Sequence, residues 1–461
     1  MSDTGLTLAQ QKMTAAGVHQ SAIDVFSHYY RQLEEGVTGF IAEDTIDPLL
    51  SPDLLEDVEI SDDAAAAALG ETVMIKLNGG LGTSMGMDKA KSLLPVRAGK
   101  SFLDLIVDQV LSARSQYGAK LPLIFMNSFR TREDTLAALA RYDNVAVDGL
   151  ELDFLQNREP KLLASDLTPV EWPAEPMLEW CPPGHGDLYT ALEASGLLDR
   201  LLSLGYRYAS VSNSDNLGAA PDAQIAGWFA ASGAPYAAEI CRRSAADRKG
   251  GHLAIRKADQ QLILRDTAQT SKEEMHFFTD EHRHPYFHTN NLWFDLERLA
   301  RTLKERESVL GLPLIKNEKN VDPADSSSPE VIQIETAMGA AVEVFAGATA
   351  IGVGRERFLP VKTTNDLLLL RSDVYEIGPE GRLTKVTDPA PLVDLDAQHY
   401  KTIAAFEARF PAVPSLKGAS SFTVHGDWTF EPDVRVVGGG TLEDTGEAST
   451  ALSGTVIGAA P

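Results

Sequence analysis

The run Lys76-Leu-Asn-Gly-Gly-Leu-Gly-Thr-Ser-Met-Gly86, continued by Asp88-Lys-Ala-Lys-Ser92, decides the fold. The apolar segment Val73 to Leu77 predicts a short strand, and it feeds directly into four glycines within eight residues, Gly79, Gly80, Gly82 and Gly86. With no side chains in the way, successive backbone N–H groups converge there and form a nest for an anion. Phosphate is the natural guest. The spacing excludes two common phosphate loops: Met87 stands where G-x-x-x-x-G-K-[ST] needs lysine, and the last glycine interval is one residue too long for G-x-G-x-x-G. Lys89 and Lys91 just downstream weigh against a plain surface turn. Apolar residues then recur at helical spacing from Phe102 to Val110, so strand, loop and helix together open an α/β domain.

Working outward, further strands are predicted at Leu121 to Met126, Tyr208 to Val211, Tyr236 to Ile240, Gln261 to Leu264 and Leu292 to Phe294, with helical or mixed stretches between them. Such alternation predicts a mostly parallel sheet covered on both faces, with ligands bound beyond the carboxyl ends of its strands. Before this core, Ile23, Phe26, Tyr30 and Leu33 fall at helical spacing behind Ser21 and Asp24, a capping-box-like start. After about residue 385, Pro389, Pro391, Pro411 and Pro414 punctuate short β-like runs at Phe422 to Val424, Val434 to Val437 and Thr455 to Ile457. The expected organisation is an N-terminal helical extension (1–70), a catalytic α/β domain (71–385) and a small C-terminal β appendage (386–461), short and β-helix-like but without a strict hexapeptide repeat. The small and polar residues at the very end are expected to be loosely ordered.

At 461 residues, 44% apolar and 23% charged, the chain has the composition of an ordinary folded protein. Its net charge of −25 repels nucleic acids and anionic membranes. A small anionic ligand is still compatible with that field, because a few lysines and backbone amides dominate within a Debye length of ~8–10 Å. No apolar stretch approaches the ~18 residues of a membrane span, and the start lacks the pattern of an export signal. Cys181 and Cys241 are too few for a disulfide framework or a cysteine zinc site. These features point to a cytoplasmic location.

Beyond the glycine loop, four polar constellations carry chemistry. Pro182-Pro-Gly-His-Gly-Asp187 couples rigid prolines to glycines, so backbone can approach a planar base while His185 is presented. Asn213-Ser-Asp215 ends a strand and places a carboxylate there, a ligand type that Mg²⁺ accepts. Thr289-Asn290-Asn291 and Glu335 offer partners for sugar hydroxyls. Lys362 precedes an apolar run, Leu367 to Leu370, predicted to form a helix capped by Thr364 or Asn365, near whose positive end the lysine would sit. His276, His282, His284 and His288 fall within thirteen positions but match no metal motif, which favours a solvated loop.

The loop LNGGLGT-x-MG…KS resembles that of the eukaryotic-type UDP-glucose pyrophosphorylases. Met126-Asn-Ser-Phe129, Phe154-Leu-Gln156, Val211-Ser-Asn-Ser-Asp-Asn216, Ile334-Glu-Thr-Ala-Met-Gly339 and Phe358-Leu-Pro-Val-Lys-Thr-Thr364 extend the resemblance, in order, over roughly residues 20 to 385. It implies a nucleotidyltransferase core that makes UDP-glucose and pyrophosphate from UTP and glucose 1-phosphate with Mg²⁺. By resemblance Lys91 and Lys362 are catalytic; Leu77, Asn78, Gly79, Gly80, Gln156, Gly184 and Asp215 bind the nucleotide, with Asp215 also at the metal; and His185, Asn213, Asn290 and Glu335 bind the sugar phosphate. Ala90 stands where many relatives have proline, and His288 where many have asparagine. The resemblance also admits a homo-oligomer. The runners-up are a broad-specificity UDP-sugar pyrophosphorylase and a sugar-nucleotide sensor that binds without turnover.

Overall fold

The computed structural model describes residues 2–37, 39–244, 247–248 and 250–458. The last three residues, part of the tail expected to be loose, lie outside that set. Eight strands form the central sheet: β1 (Asp53–Leu54), β2 (Thr72–Asn78), β3 (Leu123–Asn127), β4 (Asp153–Leu155), β5 (Tyr208–Asn213), β6 (Tyr236–Arg242), β7 (Tyr286–Asp295) and β8 (Thr349–Gly352). Their spatial order is β1-β8-β6-β7-β5-β2-β3-β4. All neighbours pair parallel except at β7, which runs antiparallel to both β5 and β6. The carboxyl ends of β2, β3, β4 and β5 therefore open on one edge, and the loops that follow them build the site.

The strands read as continuous apolar runs because both faces are covered. Val73 and Ile75 of β2 pack on one side with Ile23, Phe26 and Tyr30, whereas Met74 packs on the other with Phe102, Ile106 and Val110. Helix Gln20–Glu34 thus belongs to the main core. Its start differs from the expected capping box: His19 is the N-cap and its Nδ1 accepts the Ser21 amide, which leaves Ser21 buried in the first turn. Residues 1–70 also supply more than helices, since β1 lines the sheet edge and Ile46–Pro48 joins a side sheet with His252–Arg256 and Leu262–Arg265. The strand expected at Gln261 to Leu264 lies in that side sheet, not in the central one.

Beyond residue 386 the strands Leu392–Leu395, Ser415–Val424, Arg435–Leu442 and Val456–Ile457 stack in parallel, and Trp428–Phe430 pairs in parallel with Ser449–Ala451. Phe422, Phe430 and Val436 fill the coil, and Phe410 stacks on Phe430 with ring centroids 4.6 Å apart. This apolar filling is continuous with the Phe102 side of the sheet. Among the described residues no helix is long and apolar enough to cross a membrane.

Candidate active site

Strand β2 delivers the glycine loop, and the loop turns because Gly82 and Gly86 hold left-handed backbone (φ 66° and 71°), a region that suits glycine. The Lys91 amide donates to Gly80 O at 3.1 Å and closes the loop on itself. Asn78 sits beneath as a hub: its Nδ2 donates to Asn127 Oδ1 at 2.8 Å, and its Oδ1 accepts from Ser214 at 3.0 Å. Its side chain is therefore committed to joining three strand ends.

A cavity of about 300 Å³ opens above these ends. Leu77, Gly79, Gly80 and Lys91 line one wall, Gln156, Gly184 and His185 another, and Asn213 and Asp215 its floor. Eight of the expected nucleotide and sugar-phosphate residues thus share one space with Lys91, whereas Asn78, buried at the end of β2, lies outside the lining.

On the Gln156 side, Gln156 Nε2 donates to Gly184 O at 2.8 Å, and the Gln156 amide is fixed on Asn127 O. Gly184 has φ 78° and ψ 178°, backbone that only glycine adopts readily. A Cβ there would lie 2.6 Å from Thr336 O. Behind this wall, Asp187 accepts the Asn157 amide at 2.6 Å and its side-chain Nδ2 at 2.8 Å, locking the residue next to Gln156. Burial pushes the Asp187 carboxyl up to about 7. Asp187 and Asn157 carry no catalytic signature in sequence; only their contact exposes the clamp. His185 Nδ1 accepts the Met338 amide at 3.0 Å, so Nε2 carries the ring hydrogen, and burial keeps this imidazole neutral by lowering its pKa.

Across the cavity, Lys91 Nζ lies 2.5 Å from Asp215 Oδ2 and also donates to the carbonyl of Val361, the residue just before Lys362. The Lys91 ammonium is thereby brought beside the backbone that leads to Lys362, 271 positions further along the chain. Lys362 itself is exposed and lies outside the cavity lining. The helix after it, Thr364–Arg371, is capped by Thr363 and not by Thr364 or Asn365, and Asp366 Oδ2 accepts the Lys362 and Thr363 amides at 2.8 Å each. Since that carboxylate already occupies the helix's positive end, attraction for an anion falls to the lysine's own charge. Below the loop, Lys76 is fully buried, its ammonium donating to Ser212 Oγ (2.7 Å) and Ala219 O (2.8 Å), and burial lowers its pKa to about 7.

The expected sugar group divides. Asn290 is held in left-handed backbone (φ 65°) by its amide's bond to His288 Nδ1, and its side chain makes no hydrogen bond among the described residues. Thr289 and Asn291 do not face a sugar: both are buried and bonded to Glu239. Glu335 lies on strand Glu330–Glu335 against the Gly184 turn, and burial raises its pKa. The histidine run is not one solvated loop. His276 and His282 are exposed, His284 is buried on Glu43 and stacked on His252, and His288 packs against Gly339 with Nε2 sealed and without a hydrogen-bond partner among the described residues.

Among the described residues no cluster of three or more His, Cys, Asp or Glu could hold a metal ion by itself. Asp215 is one carboxylate in the cavity: Oδ2 engages Lys91, and Oδ1 accepts no hydrogen bond among the described residues. That donor set suits Mg²⁺, which is usually held by one or two carboxylates together with substrate phosphates and water.

A glycine-rich loop and a cavity at the carboxyl edge of an α/β sheet suit a nucleotidyltransferase, and the family comparison gives that class. The model of the family UTP--glucose-1-phosphate uridylyltransferase matches residues 23–436. A probable UTP--glucose-1-phosphate uridylyltransferase of Schizosaccharomyces pombe is 37% identical over 90% of this chain and 81% of its own. The Hordeum vulgare enzyme of that name is 39% identical over 82% of this chain and 79% of its own. A mutant UDP-glucose pyrophosphorylase from Leishmania major in complex with UDP-glucose superposes with TM-score 0.91, 41% identity and 98% coverage of each chain. The chain belongs to the UTP--glucose-1-phosphate uridylyltransferase family.

Proposed function

We infer that the protein is a UTP–glucose-1-phosphate uridylyltransferase. A phosphate oxygen of glucose 1-phosphate attacks the α-phosphorus of UTP, the bond from that phosphorus to the bridging oxygen of the β-phosphate breaks, and pyrophosphate leaves with the electron pair. The attacking oxygen is already ionised, so neither a protein nucleophile nor a general base is required. Repulsion between anions is the obstacle: two unit charges 4 Å apart interact by about 4 kcal/mol at an effective dielectric of 20, and each ~1.4 kcal/mol removed is tenfold in rate.

In this reading Lys91 and Lys362 oppose the charge that builds as pyrophosphate departs, and the glycine-loop amides of Gly79 and Gly80 cradle the phosphates. Gln156 and Gly184 hold uracil, leaving Nε2–H of His185 to donate towards the sugar phosphate, with Asn213, Asn290 and Glu335 completing the sugar side. Asp215 would hold Mg²⁺, which supplies neutralisation of the phosphate oxygens when bound. The observation that carries the reading is the single corner formed by Lys91, Asp215 and Val361. The buried free thiols of Cys181 and Cys241 suit a reducing cytoplasm.

The test is release of pyrophosphate from UTP, glucose 1-phosphate and Mg²⁺, repeated with galactose 1-phosphate and N-acetylglucosamine 1-phosphate. Turnover with glucose 1-phosphate at least ~10-fold above the other sugars is expected, a margin within what pocket contacts supply. Equal rates with all three would instead indicate a broad enzyme, and tight UDP-glucose binding without turnover a sensor.

A further inference from the structure

Lys362 is exposed and its side chain has no partner among the described residues, so something else must fix its backbone relative to Lys91 and Asp215. The fixture is a buried polar network below the cavity. Glu239, on β6, accepts Arg357 Nε at 3.0 Å and Nη2 at 2.7 Å, Trp293 Nε1 at 3.0 Å and Asn291 Nδ2 at 3.1 Å. Burial raises its carboxyl, but the Arg357 guanidinium outweighs this and holds the group ionised, below its ordinary range. Arg357 is 3% exposed and Glu239 0%. An ion pair this deep is tolerated only when its hydrogen bonds are met, as here.

Asn216 connects that pair to the reaction corner. It is 2% exposed, and both polar ends of its amide are used twice: Nδ2 donates to Asn291 Oδ1 (3.0 Å) and Arg357 O (3.2 Å), and Oδ1 accepts the amides of Leu359 (2.8 Å) and Gly218 (3.2 Å). Its backbone bridges Pro360. Asn216 also directly follows Asp215, whose own carbonyl accepts the Val361 amide at 3.4 Å. One turn therefore presents the Asp215 carboxylate to the cavity and holds the segment that leads to Lys362.

We propose that Asn216, anchored on the Arg357–Glu239 pair, is a positioning residue that holds segment 357–361 so that Lys362 meets the same phosphates as Lys91. The proposal rests on the reading of Lys362 given above. It predicts a catalytic defect that exists only while Lys362 is present. A displacement of about 1 Å can lower turnover ~100-fold, so Asn216→Ala is expected to reduce kcat by roughly 10- to 100-fold with KM for UTP changed less than about 3-fold.

The test is a double-mutant cycle on the full chain with Lys362→Ala, combined with peptide hydrogen exchange. In the Lys362→Ala background, Asn216→Ala should lower kcat by less than about 3-fold, because the group it positions is gone. Exchange over 356–363 should rise at least ~10-fold in Asn216→Ala while peptides of β2 and β5 stay protected, which separates local release from general destabilisation. Should Asn216→Ala fail to accumulate, Asn216→Ser, whose hydroxyl is too short to reach the Leu359 amide, carries the same comparison. Equal kcat losses in both backgrounds, or unchanged exchange over 356–363, overturn the proposal alone. A fully active Lys362→Ala overturns the underlying reading and the proposal with it.

Discussion

The segments that carry Lys91 and Lys362 meet at Val361 and are of opposite construction. Lys91 follows a loop closed by its own backbone, and its ammonium is already held by Asp215 and Val361, leaving the side chain 16% exposed. Lys362 stands in solvent before a helix whose N-terminus is occupied by Asp366, and among the described residues only its backbone is held. A side chain ordered in advance loses no further rotamer entropy when phosphates arrive, whereas ordering a free lysine costs up to ~2 kcal/mol that substrate contacts must offset. The first lysine is expected to act in binding and turnover alike, and the second mainly in turnover.

Removing Lys91 should give the largest effect, because the loss strikes the phosphates and also strands Asp215. Lys91→Ala is expected to lower kcat/KM about 1,000-fold or more, the scale of losing a preorganised charge donor in a closed site. Steady-state kinetics with UTP and glucose 1-phosphate would show it, and a loss below tenfold would mean that the ion pair is structural.

The Gln156–Gly184 wall, proposed to hold the base, offers a sharper contrast, since its precision is written in backbone. Gly184→Ala places a Cβ 2.6 Å from Thr336 O, and neither side can yield without moving a loop. KM for UTP should rise about 10- to 100-fold, equivalent to ~1.4–2.8 kcal/mol, with KM for glucose 1-phosphate much less affected. Equal increases in both constants would place Gly184 in general loop stability instead.

His288 gives the smallest expected effect. Burial and then the neighbouring His185 lower its pKa to about 4, against ~6.5 in an unfolded chain. As pH falls below ~6.5 the unfolded chain binds a proton that the folded site refuses, so stability is lost through the window down to about 4. His288→Asn should narrow the drop in unfolding temperature between pH 6.5 and pH 4.5 by roughly 2 °C. An unchanged drop would show that the ring titrates freely in the folded protein.

The glycine loop and its strand were legible in sequence because both are local: four glycines, a preceding apolar run and following lysines need no distant partner to be read. The cavity was legible through its motifs, each of which ends a strand. Strand β7 was harder. Its middle, His288-Thr-Asn-Asn291, is polar and breaks the apolar run, because its partners Glu239 and Arg357 are supplied by segments 50 and more residues away. For the same reason the histidine run misleads: adjacency in sequence put His284 beside His288, while the fold sends one to Glu43 and the other to Gly339. The short strands β1, at the sheet edge, and β8 beside it, of two and four residues, lack the length for any periodicity. The Asp187–Asn157 clamp is likewise a contact between two loops and has no local signal.

The most direct test of the account is kcat of Lys362→Ala measured beside its unfolding temperature. As an exposed side chain with no partner among the described residues, Lys362 should contribute within ~0.5 kcal/mol to stability, so the variant is expected to unfold with its parent. Its kcat should fall by about 100-fold or more at near-constant KM for UTP. A variant that is equally stable and turns over within about 3-fold of the parent would contradict the claim that two distant lysines act on one triphosphate.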